Sequence, residues 1–332
     1  MDNLTHSLTG ILLSRAGLNK LAPSATGLLL IALNAPDIDI VTALGGELAY
    51  LEHHRGLTHT FLFSPVMALF PFAFWPLLAR GVRKGRLQWV GAYVLSLIGV
   101  WVHVLQDWWN VYGIPFARPF TPEWFRLDWV NIIDIWLWVI LVVATAAPLL
   151  TRLVDSEIGA PRTAGRGWAW FGIIAVAAYL GTRGQLHNAA IHQLSSRIYM
   201  GEPPKRVAAF PSEVAPWRWT GLVEGADFYK ILPVDLSAEL DPDSGRVLHQ
   251  PPPSDAIQSA RATRSAAVFL RFSRFPYWRV IPASEPVGGT KVELTDLRFG
   301  LPGEGSFQVT VILDPAGAVV SESFHFREPE KR

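Results

Sequence analysis

The stretch HHRGLTHT, residues 53–60, runs directly into FLFSPVMALFPFAFWPLLA, residues 61–79, in which no side chain carries a charge. An uncharged apolar run of that length is what a helix needs to cross a bilayer. Imidazole beside hydrocarbon is costly and is usually kept for ions, protons or substrates. The junction therefore predicts a membrane protein with chemistry at the mouth of one of its spans.

Composition agrees with that reading. The 332 residues are 50% hydrophobic and 17% charged, with 14 Trp and a mean hydropathy of +0.25, a balance rich for a soluble protein. The length suits about two domains. A net charge of +1 provides no global basic field, so no nucleic-acid partner is expected. Cysteine is absent, which removes disulfides, thiolate zinc sites and cysteine nucleophiles together. Any metal must then be held by His, Asp, Glu or water. The opening MDNLTHSLTGILLSR lacks the positive n-region and cleavage site of a signal peptide and is read as retained.

Charge-depleted segments cover residues 21–36, 61–79, 87–102, 135–151 and 167–182. The last four are read as spans, and the first, with the amphipathic stretch 4–18, as a helical pair that dips into the membrane. Arg80, Arg83, Lys84 and Arg86 crowd one loop and Arg152, Arg162 and Arg166 another, which predicts a cytoplasmic position for both. Alternation then places HHRGLTHT, the HVLQD end of the next span and everything after Thr182 on the outer side, with Arg183 snorkelling. From about Ser195, Pro-rich punctuation and runs such as AVFLRFSRF, KVELTDLRF, FQVTVIL and VVSESFHF predict strands, with DPAG as a hairpin turn. The expected fold class is an α-helical polytopic membrane bundle, residues 1–190, followed by a small, mostly antiparallel β soluble domain, residues 195–332, on the outer face.

Several residues have the chemistry of a metal site. In HVLQD, His103 and Asp107 are four apart and share one helix face, so both can meet one ion; the alternative is a buried ion pair. In APDID, Asp37 and Asp39 follow an apolar run where a carboxylate must be paired or ligating; a solvated turn is the alternative. His54 and His59 are five apart, so at least one should lie in the turn before the span, with Thr58 capping the next helix and His59 in its first turn. His6 joins the site near a helix start, as a ligand, a supporting group or a satisfied polar residue. Asp134 either orients a ligand histidine or sits at headgroup depth. The predicted topology brings Asp37, Asp39, His54, His59, His103 and Asp107 to one membrane face, a donor set suited to one zinc or to two bridged metals. His187, His192, His249 and His325 are read as surface or packing residues, and Trp217, Trp219 and Trp278 as packing. No GxSxG, Walker A or GxGxxG pattern is present.

The pieces MDNLTHSLTG, APDID, HRGLTHT and HVLQDWWNVYG, taken in order over about residues 1–185, resemble the YdjM-like family of membrane-bound, metal-dependent hydrolases. Sequences of this type often carry a C-terminal domain with a DLRF stretch, here residues 296–299. That family is distantly similar to the all-α zinc-dependent phospholipase C proteins, in which His and Asp from several helices hold a metal cluster and an HxxxD pair supplies two ligands. His103 and Asp107 match that pair. By the same likeness His6, Asp37, His54 and His59 are implied ligands, and Asp39 a ligand or base. Those phospholipases are soluble, so the resemblance bears on hydrolysis more than on substrate.

The leading expectation is an inner-membrane hydrolase whose divalent metal, zinc first and in one or more copies, activates water against a lipid or lipid-linked ester or phosphoester. Asp39 or His59 would manage the proton and Arg55 would bind phosphate. A noncatalytic metal-stabilised sensor or scaffold comes second and a transporter third. Membrane lipid is the expected partner; no protein partner can be named.

Overall fold

The computed structural model describes residues 1–82, 84–158, 165–304 and 306–326. It is a helical N-terminal region followed by a C-terminal region containing two antiparallel sheets. Two of the basic residues used for orientation, Arg83 and Arg162, lie outside the described residues.

The helical region comprises α1 (Asn3–Ala16), α2 (Ala25–Asn34), α3 (Glu47–His53), α4 (Ser64–Met67), α5 (Leu69–Leu78), α6 (Arg86–Trp108), α7 (Ile135–Ile158) and α8 (Arg166–Ser195). Asp2 starts α1 by accepting from the Leu4 and Thr5 amides, so a carboxylate meets orphan N–H groups at the positive end of the helix dipole. α2 ends just ahead of Pro36, and a 3-10 stretch, Pro36–Gly45, follows it.

The chain divides into two compact units that do not follow a single cut. One holds Met1–Ile38, Arg55–Leu222 and Leu232–Ser244; the other holds Asp39–His54, Val223–Ile231 and Gly245–Arg332. In the first, α2 packs on α1, α5 and α6, and α1 also packs on α7 and α8. Leu28, Leu29, Leu33, Trp75 and Leu95 fill one buried cluster and Leu12, Val130, Leu137 and Leu141 another. Two glycines let α6 approach its neighbours: a Cβ at Gly99 would lie 2.5 Å from the Ala32 Cβ, and one at Gly91 would strike the Leu21 carbonyl.

The expectation of a straight span at 61–79 is corrected. Among the described helices only α6 is long and apolar enough to cross a membrane alone, and the number rises to three if each of two bent helix pairs is one span. Residues 61–79 form two short helices, α4 and α5, with Pro65 in the first turn of α4, Pro71 in the first turn of α5 and Pro76 inside α5. In α7 the apolar run is described over Ile135–Leu149, and the end of the expected 135–151 segment lies outside the described side chains. α8 continues past the expected end to Ser195. Arg183 on α8 does not snorkel: it is buried, donates to the carbonyls of Trp129 and Pro216, and lies over the Trp219 ring. Trp219 and Trp278 pack inward as expected, whereas Trp217 is half exposed.

The strands are β1 (Arg206–Pro211), β2 (Arg218–Glu224), β3 (Phe228–Asp235) and β4 (Arg246–His249), forming a sheet in chain order. After α9 (Asp255–Arg261) and α10 (Arg264–Phe272) come β5 (Pro276–Pro282), β6 (Thr290–Asp296), β7 (Gln308–Leu313) and β8 (Val319–His325), a second sheet also in chain order. Within the second unit α9 packs on β5 and β6, and α10 on β7 and β8; α3 packs on α10 and β8. The DPAG turn forms as expected, with Asp314 Oδ1 accepting from Ala316 and Ala318 and Gly317 at φ +83°. The strand expected at AVFLRFSRF is instead mostly α10. Thr263 accepts from the Ala266 amide and starts a helix, and Ser265, Val268, Phe269 and Phe272 recur at helical spacing on its buried face.

The DLRF stretch closes the second unit's core. The side chains of Asp296 and Arg298 are both fully buried; Arg298 Nη2 lies 2.8 Å from Asp296 Oδ2, and its guanidinium lies over the rings of Phe272 and Phe299. Burial pushes the Asp296 carboxyl up. The Arg298 charge and its hydrogen bonds, with the amides of Arg298 and Arg274, outweigh that and hold the carboxyl below its ordinary value.

Candidate metal centre

α6 carries His103 and Asp107 one turn apart on its buried face. The start of the 3-10 stretch after α2 supplies Asp37, and the short 3-10 turn Leu57–His59 supplies His59. These four groups offer ligand atoms that all lie within 4.8 Å of one another. His59 Nε2 is 3.1 Å from His103 Nε2, 3.3 Å from Asp107 Oδ2 and 3.6 Å from Asp37 Oδ1. His103 Nε2 is 3.5 Å from Asp107 Oδ2 and 3.6 Å from Asp37 Oδ1.

Those separations fit an ion. Donors about 2.0–2.1 Å from a tetrahedral centre stand about 3.3 Å apart. The tautomers fit as well. His103 Nδ1 lies 2.6 Å from the Leu33 carbonyl, an acceptor only, so the proton sits on Nδ1 and the Nε2 lone pair faces the cluster. His59 Nδ1 is 2.9 Å from Thr58 Oγ1, which can take the Nδ1 proton in the same way. Asp107 Oδ2 is buried without a hydrogen-bond partner, a costly state that a cation relieves. The side chains of His59, His103 and Asp107 are wholly buried, while Asp37 is 20% exposed, so the cluster meets its surroundings on the Asp37 side. Asp37, His59, His103 and Asp107 can therefore hold a metal ion.

The other predicted residues sit elsewhere. His6 stacks on His103 with ring centroids 4.0 Å apart, and its Nδ1 lies 2.8 Å from Gln106 Oε1. Its Nε2 is buried, without a hydrogen bond and 3.8 Å from Asp107 Oδ1, so it borders the four groups and is not one of them. His54, the extended residue that ends α3, pairs its Nδ1 with Asp39 Oδ1 at 2.9 Å and stacks on Tyr50; neither His54 nor Asp39 belongs to the four-group cluster. Thr58 does not cap the next helix, which begins at Ser64. Arg55 is buried rather than presented at a surface, donating to Asp107 Oδ1, Asn110 Oδ1 and the Gly113 carbonyl. Asp134 orients no histidine: it accepts from the Leu137 amide at the start of α7 and from the Tyr179 hydroxyl.

Sequence reasoning missed the Leu33 carbonyl behind His103, Gln106 behind His6 and Asn110 behind Arg55, and it read Thr58 as a helix cap rather than as the partner of His59. Gln106 had a signal, because a polar side chain inside an apolar helix needs partners, here His6 and Thr9. The Met1 amino group, which contacts Asp107 Oδ1, had none.

With the geometry in place, comparison with known proteins adds the following. The family described as YdjM inner membrane protein matches residues 1–190, and the family described as YfhP C-terminal alpha/beta plait domain matches residues 255–332. The uncharacterized protein YfhP of Bacillus subtilis (strain 168) is 28% identical over 160 residues, which cover 44% of this chain and 46% of that protein. The chain thus spans less than half the length of that curated relative. No solved structure matches.

Proposed function

Because the chain belongs to the YdjM inner membrane protein family, we propose that it is an inner-membrane, metal-dependent hydrolase acting on a lipid or lipid-linked ester or phosphoester. The observation that carries the reading is the cluster of Asp37, His59, His103 and Asp107 with ligand-to-ligand distances of tetrahedral size. Zinc is the ion we assign, since two imidazoles and two carboxylates with no thiolate suit it.

When bound, such an ion supplies Lewis acidity to water and to a scissile ester. The chain supplies the rest. The Leu33 carbonyl and Thr58 hold the two imidazoles so that Nε2 is the donor atom. The buried face of α6 keeps bulk water from His103 and Asp107. Approach is from the Asp37 side, where the centre is least covered. We place the C-terminal sheets outside the cytoplasm, on the strength of the basic residues at 80–86 and at 152 and 166.

One observation favours a second reading. Three of the four groups are wholly buried, as they would be in a closed structural site that serves a sensor or scaffold. Metal analysis of the detergent-purified full chain, followed by assay on phosphodiester, phosphomonoester and carboxylester lipids with and without chelator, separates the two. Turnover that a chelator abolishes and added zinc restores is the expected result. Bound metal with no turnover on any of these classes would reject the hydrolase and leave the structural site.

A further inference from the structure

Asp107 presents its two oxygens to different surroundings. Oδ2 faces His59 and His103. Oδ1 meets the Met1 amino group and faces Arg55, whose Nη2 lies 3.0 Å away with both side chains almost wholly buried. The guanidinium is held there from several directions: Nη1 donates to the Gly113 carbonyl at 3.0 Å and to Asn110 Oδ1 at 3.3 Å, and the Tyr112 ring lies 4.7 Å from its central carbon. Asn110 Oδ1 is itself fixed by the amides of Tyr112 and Gly113. Arg55 also adopts φ +54°, a left-handed backbone that is costly for a non-glycine residue and persists where its surroundings over-determine it.

A carboxylate that bridges two metal ions gives one oxygen to each. Here the second oxygen is already committed to a fixed cation. The charges point the same way. With neutral imidazoles and an uncharged Met1 amine, Asp37 and Asp107 carry two negative charges and Arg55 one positive; a protonated amine only adds to the positive excess. One divalent ion leaves a net single positive charge, whereas two would leave three in a site whose histidines and Asp107 are out of water, and uncompensated buried charge is strongly disfavoured.

We propose that Arg55 is a resident cation standing where a second metal ion would have to bind, so that the centre holds a single divalent ion. The inference rests on the reading of the four groups as a metal centre, and it makes Arg55 a positioning residue rather than a phosphate ligand. The test is a count. Full-length protein in detergent is saturated with zinc, freed of unbound ion by gel filtration and analysed for metal per chain, with a His103→Gln protein setting the background. Wild type should hold one ion. Arg55→Ala, which removes the fixed guanidinium from Asp107 Oδ1 and leaves only the Met1 amine there, should rise about twofold at saturating zinc, while Arg55→Lys should stay at one. Two tightly held ions in wild type would overturn the inference and leave the metal centre standing, and no ion above background would overturn both. A folded Arg55→Ala protein that still holds one ion or fewer would also overturn it. If that variant does not fold, the wild-type and Arg55→Lys counts decide.

Discussion

His103 and Leu33 are joined by a 2.6 Å contact between the imidazole Nδ1 and a backbone carbonyl, so the packing of α2 on α6 and the aim of a metal ligand are one interaction. The Gly99 face lies one turn before His103 and lets α2 come close enough for it. A methyl group at Gly99 would meet the Ala32 Cβ at 2.5 Å and the Ala32 carbonyl carbon at 3.3 Å. Gly99→Ala should therefore destabilise the bundle by about 1–3 kcal/mol and weaken zinc binding. Thermal melting and metal titration of the same preparation check both.

Thr58 acts on the other imidazole. Removing the partner of a ligand histidine typically costs 10–100-fold in metal affinity, and Thr58→Val should fall in that range. Thr58→Ser, which keeps the hydroxyl, should bind like wild type in a competition titration with a chromogenic chelator.

His6 stands beside the centre rather than in it, with Nε2 3.8 Å from Asp107 Oδ1. His6→Gln should retain the bound ion with affinity reduced less than tenfold, whereas His59→Gln should lose it. Equal loss in the two proteins would restore His6 to the ligand set.

Asp134 caps α7 through the Leu137 amide. Asp134→Ala should cost about 1 kcal/mol of stability and leave metal content unchanged. A metal content that falls in a normally folded Asp134→Ala protein would return this residue to the centre.

The buried Asp296–Arg298 pair sets an acid limit on the second unit. The Asp296 carboxyl is held below its unfolded value, so the unfolded chain takes up the proton first as pH falls. The stabilisation is fully present above a pH of about 4 and is lost below it. Hydrogen exchange in β6, followed in the full chain, should accelerate as pH drops through that point beyond the intrinsic pH dependence. Asp296→Asn leaves Arg298 buried without a charge partner and should cost about 3–5 kcal/mol at neutral pH.

What could be read in the sequence was governed by spacing. His103 and Asp107 are four apart in an unbroken helix, so their shared face followed from the helical period alone, and Asp37 followed from a carboxylate stranded at an apolar boundary. His54 could not be separated from His59 that way. The chain between them leaves α3, passes through Arg55 in the left-handed region and makes a 3-10 turn, a path with no period. Hydropathy read residues 61–79 as one straight span because it registers the absence of charge and is indifferent to the prolines at 65, 71 and 76. AVFLRFSRF misled for a related reason: in so short a run, alternation and one helical turn share their apolar positions, and the Thr263 cap decides between them.

The grouping of Asp39–His54 with the C-terminal residues matters for genetic dissection. A stop codon placed after Ser195 looks from the chain order like a clean removal of a separate module. It would delete α10 and β8, the elements against which α3 packs, along with Arg264 and Arg271, the cations paired with Glu52. Loss of function in such a truncation would not show that the sheets do the chemistry, since the deletion also strips support from a helix that lies between Asp37 and His59 in the chain.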